Sequence, residues 1–225
     1  MYFDPRYFLF IGPAILLGLY AQWRVKSAFS QMAEIPARMS GAQAARTMLD
    51  SAGLHDVGIE QIGGRLSDHY DPGAKVLRLS QDVYAGRSMA ALGVACHEAG
   101  HAFQDAKQYA PLVIRNLAVP AANFGGGLGG MLAMAGVGFG MQPLLLLGII
   151  LFSAVVFFQV VNLPVEFDAS ARAKRQLVQQ GMISEMELPY VSKVLNAAAL
   201  TYVAGTLQSI LTLAYYIFRY MGDRR

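Results

Sequence analysis

Leu144-Leu145-Leu146-Leu147-Gly148-Ile149-Ile150-Leu151-Phe152-Ser153-Ala154-Val155-Val156-Phe157-Phe158-Gln159-Val160-Val161 carries no charge from end to end. A helix needs about 20 mostly apolar residues to cross the hydrocarbon core of a bilayer. This run therefore reads as a membrane span, and three weaker segments take their meaning from it. Tyr7 to Gln22, Leu117 to Gly138 and Leu200 to Phe218 are also long and apolar. The segment 117–138 holds Gly125-Gly126-Gly127-Leu128-Gly129-Gly130. Such a run is either a flexible apolar loop or a helix whose small residues let neighbours approach closely, and the second is the expectation. Composition agrees with a membrane chain. Of 225 residues, 55% are hydrophobic and 15% charged, against about 25% charged in soluble domains.

The segment 7–22 does not read as a cleaved signal. A single Arg6 precedes it, Arg24 and Lys26 follow it, and Tyr20-Ala21-Gln22-Trp23 offers no small-x-small cleavage site. Four spans place two polar regions, 23–116 and 162–199, on one side of the membrane. Arg24, Lys26, Lys107, Arg115, Arg172, Lys174 and Arg175 lie with them; Arg6, Arg219, Arg224 and Arg225 lie opposite. The excess of positive charge predicts that the polar side is cytoplasmic, which makes the chain a multi-pass protein of the cell (inner) membrane. A net charge of +3 without a basic, aromatic-rich stretch excludes nucleic acid as a partner. The lone Cys96 excludes an intrachain disulfide.

Within region 23–116, Gly41 to Ala52 reads as a short amphipathic helix. Gly58 to Leu66 and Lys75 to Leu79 read as two strands, and Asp71-Pro72-Gly73 predicts a hairpin between them. A longer helix begins after Ser88, a suitable N-cap, and reaches about Gln108 before Tyr109-Ala110-Pro111. The fold class is thus mainly α and integral to a membrane, with about four spans and a small α+β lobe.

The helix after Ser88 contains His97-Glu98-Ala99-Gly100-His101. Histidines four apart stand one turn above the other on one face, so both imidazoles reach one metal ion. Glu98 is placed to take a proton from a water that the metal activates. From four His and six Glu, this pattern arises by chance in about 0.2% of chains of the same composition. The preceding Ala90, Ala91, Leu92, Val94, Ala95 and Cys96 are apolar. A buried helix does not carry two histidines and a glutamate without compensation. The pattern predicts a catalytic Zn2+ held by His97 and His101, with Glu98 as base.

Catalytic zinc takes a third protein ligand. Position 104 is Gln and position 107 Lys, so the extended metzincin motif is absent, and no histidine follows His101. The remaining donors are Asp105, Glu166, Asp168, Glu185, Glu187 and Asp223. Pro164 to Leu177 reads as a helix with proline in its first turn. On it Glu166, Ala169, Ala173 and Leu177 form one inward stripe. Asp168 lies on another face with Arg172 and Arg175, as on a solvated charge face. Glu166 is the expected third ligand; its alternative role is a first-turn acid favoured by the helix dipole.

Leu66-Ser67-Asp68-His69-Tyr70-Asp71-Pro72, Lys75-Val76-Leu77-Arg78-Leu79-Ser80, the His97–His101 helix with Ala110-Pro111 after it, and Pro164-Val165-Glu166-Phe167-Asp168-Ala169-Ser170 carry a family likeness. Over most of its length the chain resembles the YugP-type membrane zinc metallopeptidases, a neutral zinc metallopeptidase family of bacteria. Glu166-Phe167-Asp168-Ala169 is also similar to the gluzincin-like segment of the HtpX-like and CAAX-prenyl-protease groups. There the glutamate supplies the third ligand and an Asp follows the Ala; here Ser170 stands at that position, where a hydroxyl can still bond a ligand imidazole.

Other polar residues have simpler expected roles. Cys96 points about 100° away from His97 and reads as a small buried residue. His69 and Tyr70 stabilise their turn or, as a second option, an oxyanion beside the metal. His55 is expected at the surface and Arg115 at a membrane boundary. The expected activity is hydrolysis of membrane or membrane-proximal polypeptides, whose extended strands pair with the hairpin edge. The expected partners are such polypeptides and the lipid bilayer, with a homo-oligomer or another membrane protein as further options. A catalytically silent zinc scaffold that recruits membrane proteins is the alternative, against which the presence of Glu98 speaks. A channel built on the glycine-rich segment would need polar residues deep within the spans, and these hold few.

Overall fold

A computed structural model describes residues 5–222 of the protein. Helix α1 (Pro5–Ala33) is followed by α2 (Gly41–Ser51), strands β1 (Gly58–Ile62), β2 (His69–Asp71) and β3 (Val76–Ser80), and the short α3 (Gln81–Tyr84). Helices α4 (Met89–Ala106), α5 (Ala110–Phe124), α6 (Gly130–Phe139), α7 (Gln142–Gln179) and α8 (Leu188–Gly222) complete the chain, with a π-helical stretch, Gly125–Gly129, joining α5 to α6. Four helical stretches are long and apolar enough to cross a membrane: Arg6–Ala33, Ala110–Phe139, Gln142–Gln179 and Leu188–Gly222. The mainly α membrane architecture expected from the sequence is present.

The chain divides into two compact units. The first comprises residues 5–21, 113–164 and 201–222 of the described chain. Its helices leave large apolar side chains uncovered, among them Leu9, Leu16, Leu117, Phe139, Ile150 and Phe157, as a lipid-facing surface requires. Its internal packing relies on the small residues. A β-carbon at Gly125 would lie 2.2 Å from the Leu151 carbonyl oxygen, and one at Gly136 would lie 2.4 Å from the Leu145 nitrogen. The glycine-rich segment is therefore helical and pressed against α7, as the second of its two sequence readings held. Edge-on aromatic contact between Tyr7 and Tyr215, with ring centres 5.1 Å apart, joins α1 to α8 in the same unit.

The second unit comprises residues 22–112 and 165–200. Its core gathers Met48, Leu49, Leu77, Leu79, Val83, Leu92, Leu177 and Leu195. Helix α2 starts at a capping box: Gln43 N–H donates to Ser40 Oγ, and Ser40 N–H donates to Gln43 Oε1. Helix α4 starts at Ser88, whose Oγ accepts from Ala91 N–H. It ends at Ala106, two residues before the expected Gln108, where Gln108 takes a positive φ of 49°.

Two expectations are corrected. The strands near 58–66 and 75–79 do not form a hairpin with each other. β1 and β3 run parallel, from Gly58 beside Val76 to Ile62 beside Ser80, and the sheet order is β1-β3-β2. The hairpin joins β2 to β3 instead. Asp71 Oδ1 accepts from Gly73 N–H and Ala74 N–H at its turn, while Asp68 accepts from Ser80 N–H and Oγ–H and so anchors the chain beside β3. A strand of three residues is too short to show alternation, so only its turn was visible in the sequence. The helix expected to start at Pro164 is instead part of α7, unbroken over 38 residues. Proline removes one backbone hydrogen bond from a helix interior. Tight burial of Val165, Ala169, Ala173 and Leu177 holds the following turns in helical form.

Candidate metal centre

The centre lies within the second unit, where α4 meets the Val165–Gln179 part of α7. Most of α4 from Met89 to Gln104 is buried, and the contact is close at Gly100. A β-carbon there would stand 2.7 Å from the carbonyl oxygen of Ala169 and 3.1 Å from its Cα. Ala169 and Ala173 are fully buried. Small residues on both helices thus allow backbone-to-backbone contact, and Glu166 comes to face the two histidines.

Glu166 Oε2 lies 3.2 Å from His97 Nε2 and 3.7 Å from His101 Nε2. One donor atom from each residue falls within 4.8 Å of the others, so the three side chains could hold a metal ion. Zinc bound at about 2.0–2.1 Å in a tetrahedron sets its ligand atoms about 3.3 Å apart. These two separations bracket that edge, and the nitrogen, nitrogen and oxygen donors suit zinc. Glu166 and His101 are buried, the His97 side chain is 12% exposed, and Glu98 is 9% exposed.

Each imidazole is also held at its other nitrogen. Ser170 Oγ is 3.1 Å from His97 Nδ1, and Gln104 Oε1 is 2.9 Å from His101 Nδ1. Burial alone would lower the basicity of His101. The Glu166 carboxylate in contact with it, together with the charge of Glu98, outweighs burial and raises its pKa above the usual 6.5.

The other acidic candidates are placed elsewhere. Asp105 accepts from the Tyr70 hydroxyl at 2.7 Å and pairs with Lys75. Glu187 caps Ser184, accepting from its N–H and Oγ–H, Glu185 is exposed, and Asp223 lies outside the described residues. Asp168 is not on a solvated charge face as expected. It is half-buried and accepts from both Arg172 Nε–H and Gln104 Nε2–H. Its face turns toward α4 because Gln104 reaches over to it, a contact that charge spacing within one helix cannot reveal. Gln104 itself was noted in the sequence only for not being histidine. Its position one turn beyond His101 in a buried helix was the available signal.

His69 Nδ1 contacts the Ser67 carbonyl at 2.8 Å and serves its own turn. Burial, then the bond to Asp105, push the Tyr70 hydroxyl well above the ordinary phenol range. His55 is exposed beside Asp50, and burial pushes the Cys96 thiol up to about 12, which leaves it unreactive.

A His-Glu-x-x-His helix with a carboxylate converging from a second helix, in a chain with four long apolar helices, has the form of a membrane metallopeptidase. Comparison with known proteins gives the same class. The family described as "Putative neutral zinc metallopeptidase" matches residues 7–221, and the chain belongs to that family. It is similar to "Putative membrane protease YugP" of Bacillus subtilis (strain 168), with 46% identity over 220 residues, covering 96% of this chain and 98% of that protein. No solved structure matches the chain.

Proposed function

We propose that this protein is a zinc-dependent membrane endopeptidase in which His97, His101 and Glu166 hold the metal and Glu98 is the general base. The observation that carries this reading is the spacing of the His97, His101 and Glu166 donor atoms at 3.2 and 3.7 Å. Zinc would supply a Lewis acid that lowers the pKa of a water and polarises the scissile carbonyl. Glu98, next to one ligand and shielded from bulk solvent, takes the proton of the attacking water and returns it to the leaving amine. Ser170 and Gln104 keep the two imidazoles aimed at the metal.

The substrates are membrane or membrane-proximal polypeptides. An extended segment pairs with the free edge of β2, which lies on the opposite side of that strand from β3. The excess of positive charge around the two polar regions supports an active site on the cytoplasmic side of the inner membrane. The test is zinc content and proteolysis of the purified full chain in lipid vesicles, with casein and a reconstituted membrane protein as substrates. About one zinc per chain and cleavage that stops with His97→Ala are expected. Zinc-free wild-type protein that still cleaves would remove the metal from the mechanism.

A further inference from the structure

Gln104 is 0% exposed, and each of its amide atoms has a partner. Its Nε2–H groups donate to the Val165 carbonyl at 2.7 Å and to Asp168 Oδ2 at 2.9 Å. The same Asp168 oxygen is held by Arg172 Nε–H. Both neighbours at that end of the amide only accept, a carbonyl and a carboxylate. Turning the amide over would set its oxygen against both of them, so its orientation is fixed by chemistry. Gln104 Oε1 is therefore the atom facing His101 Nδ1 at 2.9 Å. An amide oxygen only accepts, so Nδ1 must carry the hydrogen.

We propose that Gln104 is a positioning residue: held by Val165 and Asp168, it locks His101 as the Nδ1–H tautomer and leaves the Nε2 lone pair facing Glu166 and the metal. This rests on the zinc site proposed above. The two ligand histidines differ in this respect. Ser170 Oγ, 3.1 Å from His97 Nδ1, can donate or accept, so it orients that ring without choosing its tautomer. The lock reaches His101 from the same stretch of α7 that carries Glu166. One helix–helix contact thus sets both the third ligand and the aim of the second.

The experiment uses the full chain in detergent with zinc ion as probe. Zinc dissociation constants are measured by competition with a chelator for wild type and Gln104→Met. Metal-free samples with 15N-labelled histidine are examined by NMR at alkaline pH, with the His101 signal assigned by its loss in His101→Asn. Wild type should show His101 protonated at Nδ1. Gln104→Met keeps the volume but removes the acceptor; it should weaken zinc about 10- to 100-fold and mix the tautomers. If Gln104 only fills space and bonds to Val165, Gln104→Met lowers the melting temperature and leaves zinc affinity of the folded protein unchanged; that result overturns the proposal. So does wild-type His101 protonated at Nε2, which can be read even if the Met variant does not fold. Wild type that holds no zinc but shows the Nδ1–H signal refutes the zinc site and leaves the tautomer lock standing.

Discussion

Gly100 of α4 meets Ala169 of α7 with no room for a side chain: a β-carbon at Gly100 would lie 2.7 Å from the Ala169 carbonyl oxygen. The obstacle is backbone, which cannot swing away as the end of a side chain can. Gly100→Ala should therefore push the helices apart, costing about 1–3 kcal/mol by overpacking, and move Glu166 away from His97 and His101. Gly93 offers a comparison on the same helix, since its β-carbon would meet Val191 Cγ1 at 3.1 Å, and a side-chain methyl can yield. Thermal unfolding and zinc titration should show both properties impaired in Gly100→Ala and only slightly changed in Gly93→Ala. Equal behaviour of the two variants would show that the contact does not tune the metal centre.

Glu98→Gln separates chemistry from metal binding. The amide keeps the shape of a side chain that is 9% exposed but cannot accept the proton. Zinc content should stay near wild type while cleavage of casein falls by at least about 100-fold, the usual contribution of general-base catalysis. Wild-type turnover in this variant would assign the base elsewhere.

Glu166→Ala should reduce zinc affinity by orders of magnitude, because it removes one corner of the proposed coordination set. Asp105→Ala should retain zinc, since Asp105 is engaged by Tyr70 and Lys75. Chelator competition on both variants decides it, and zinc retained by Glu166→Ala but lost by Asp105→Ala would reverse the assignment of the third ligand.

The parts of the molecule that were legible in the sequence are those written in local periodicity. The uncharged run 144–161 and the four-residue spacing of His97 and His101 each declare a helix and a face. Glu166 could be chosen because it shares a stripe with Ala169 and Ala173, and the structure brings it to both histidines. What stayed hidden depends on partners distant in sequence. The parallel pairing of β1 with β3 joins residues about 18 apart, with β2 in between. Gln104 and Asp168 meet across two helices, so neither residue's neighbours announce the contact. Pro164 misled because a proline near an apolar run more often begins a helix than lies within one.

Zinc retention should depend on pH with a sign set by His101. Its pKa in the metal-free fold is raised, with Glu166 and Glu98 offsetting burial. Protons therefore begin to compete with zinc at a pH above the 6.5 of a free imidazole. The zinc dissociation constant should rise as pH falls through that window, by up to about tenfold per pH unit for each ligand protonated. Metal-free protein should show the opposite slope. A raised folded-state pKa stabilises at low pH, and that stability is lost as pH rises through the folded value. Melting temperatures of zinc-loaded and metal-free protein measured from pH 5.5 to 8.5 (an experimental range) should diverge as pH rises; parallel curves would contradict the coupling of His101 to these carboxylates.

The orientation of the polar regions is checked by single cysteines. Native Cys96 is fully buried and is replaced by serine to give an unreactive background. Gln61 and Gln180 are exposed in the second unit, so cysteines there should be open to solvent without disturbing the core. The excess of Arg and Lys around residues 23–116 and 162–199 predicts that both positions are on the cytoplasmic side. A membrane-impermeant thiol reagent should leave both unlabelled in intact cells and label both in inverted vesicles. Labelling of both in intact cells would turn the active side outward, toward periplasmic or extracellular substrates. Labelling of one alone would mean that an odd number of the four long helices crosses the membrane between Gln61 and Gln180.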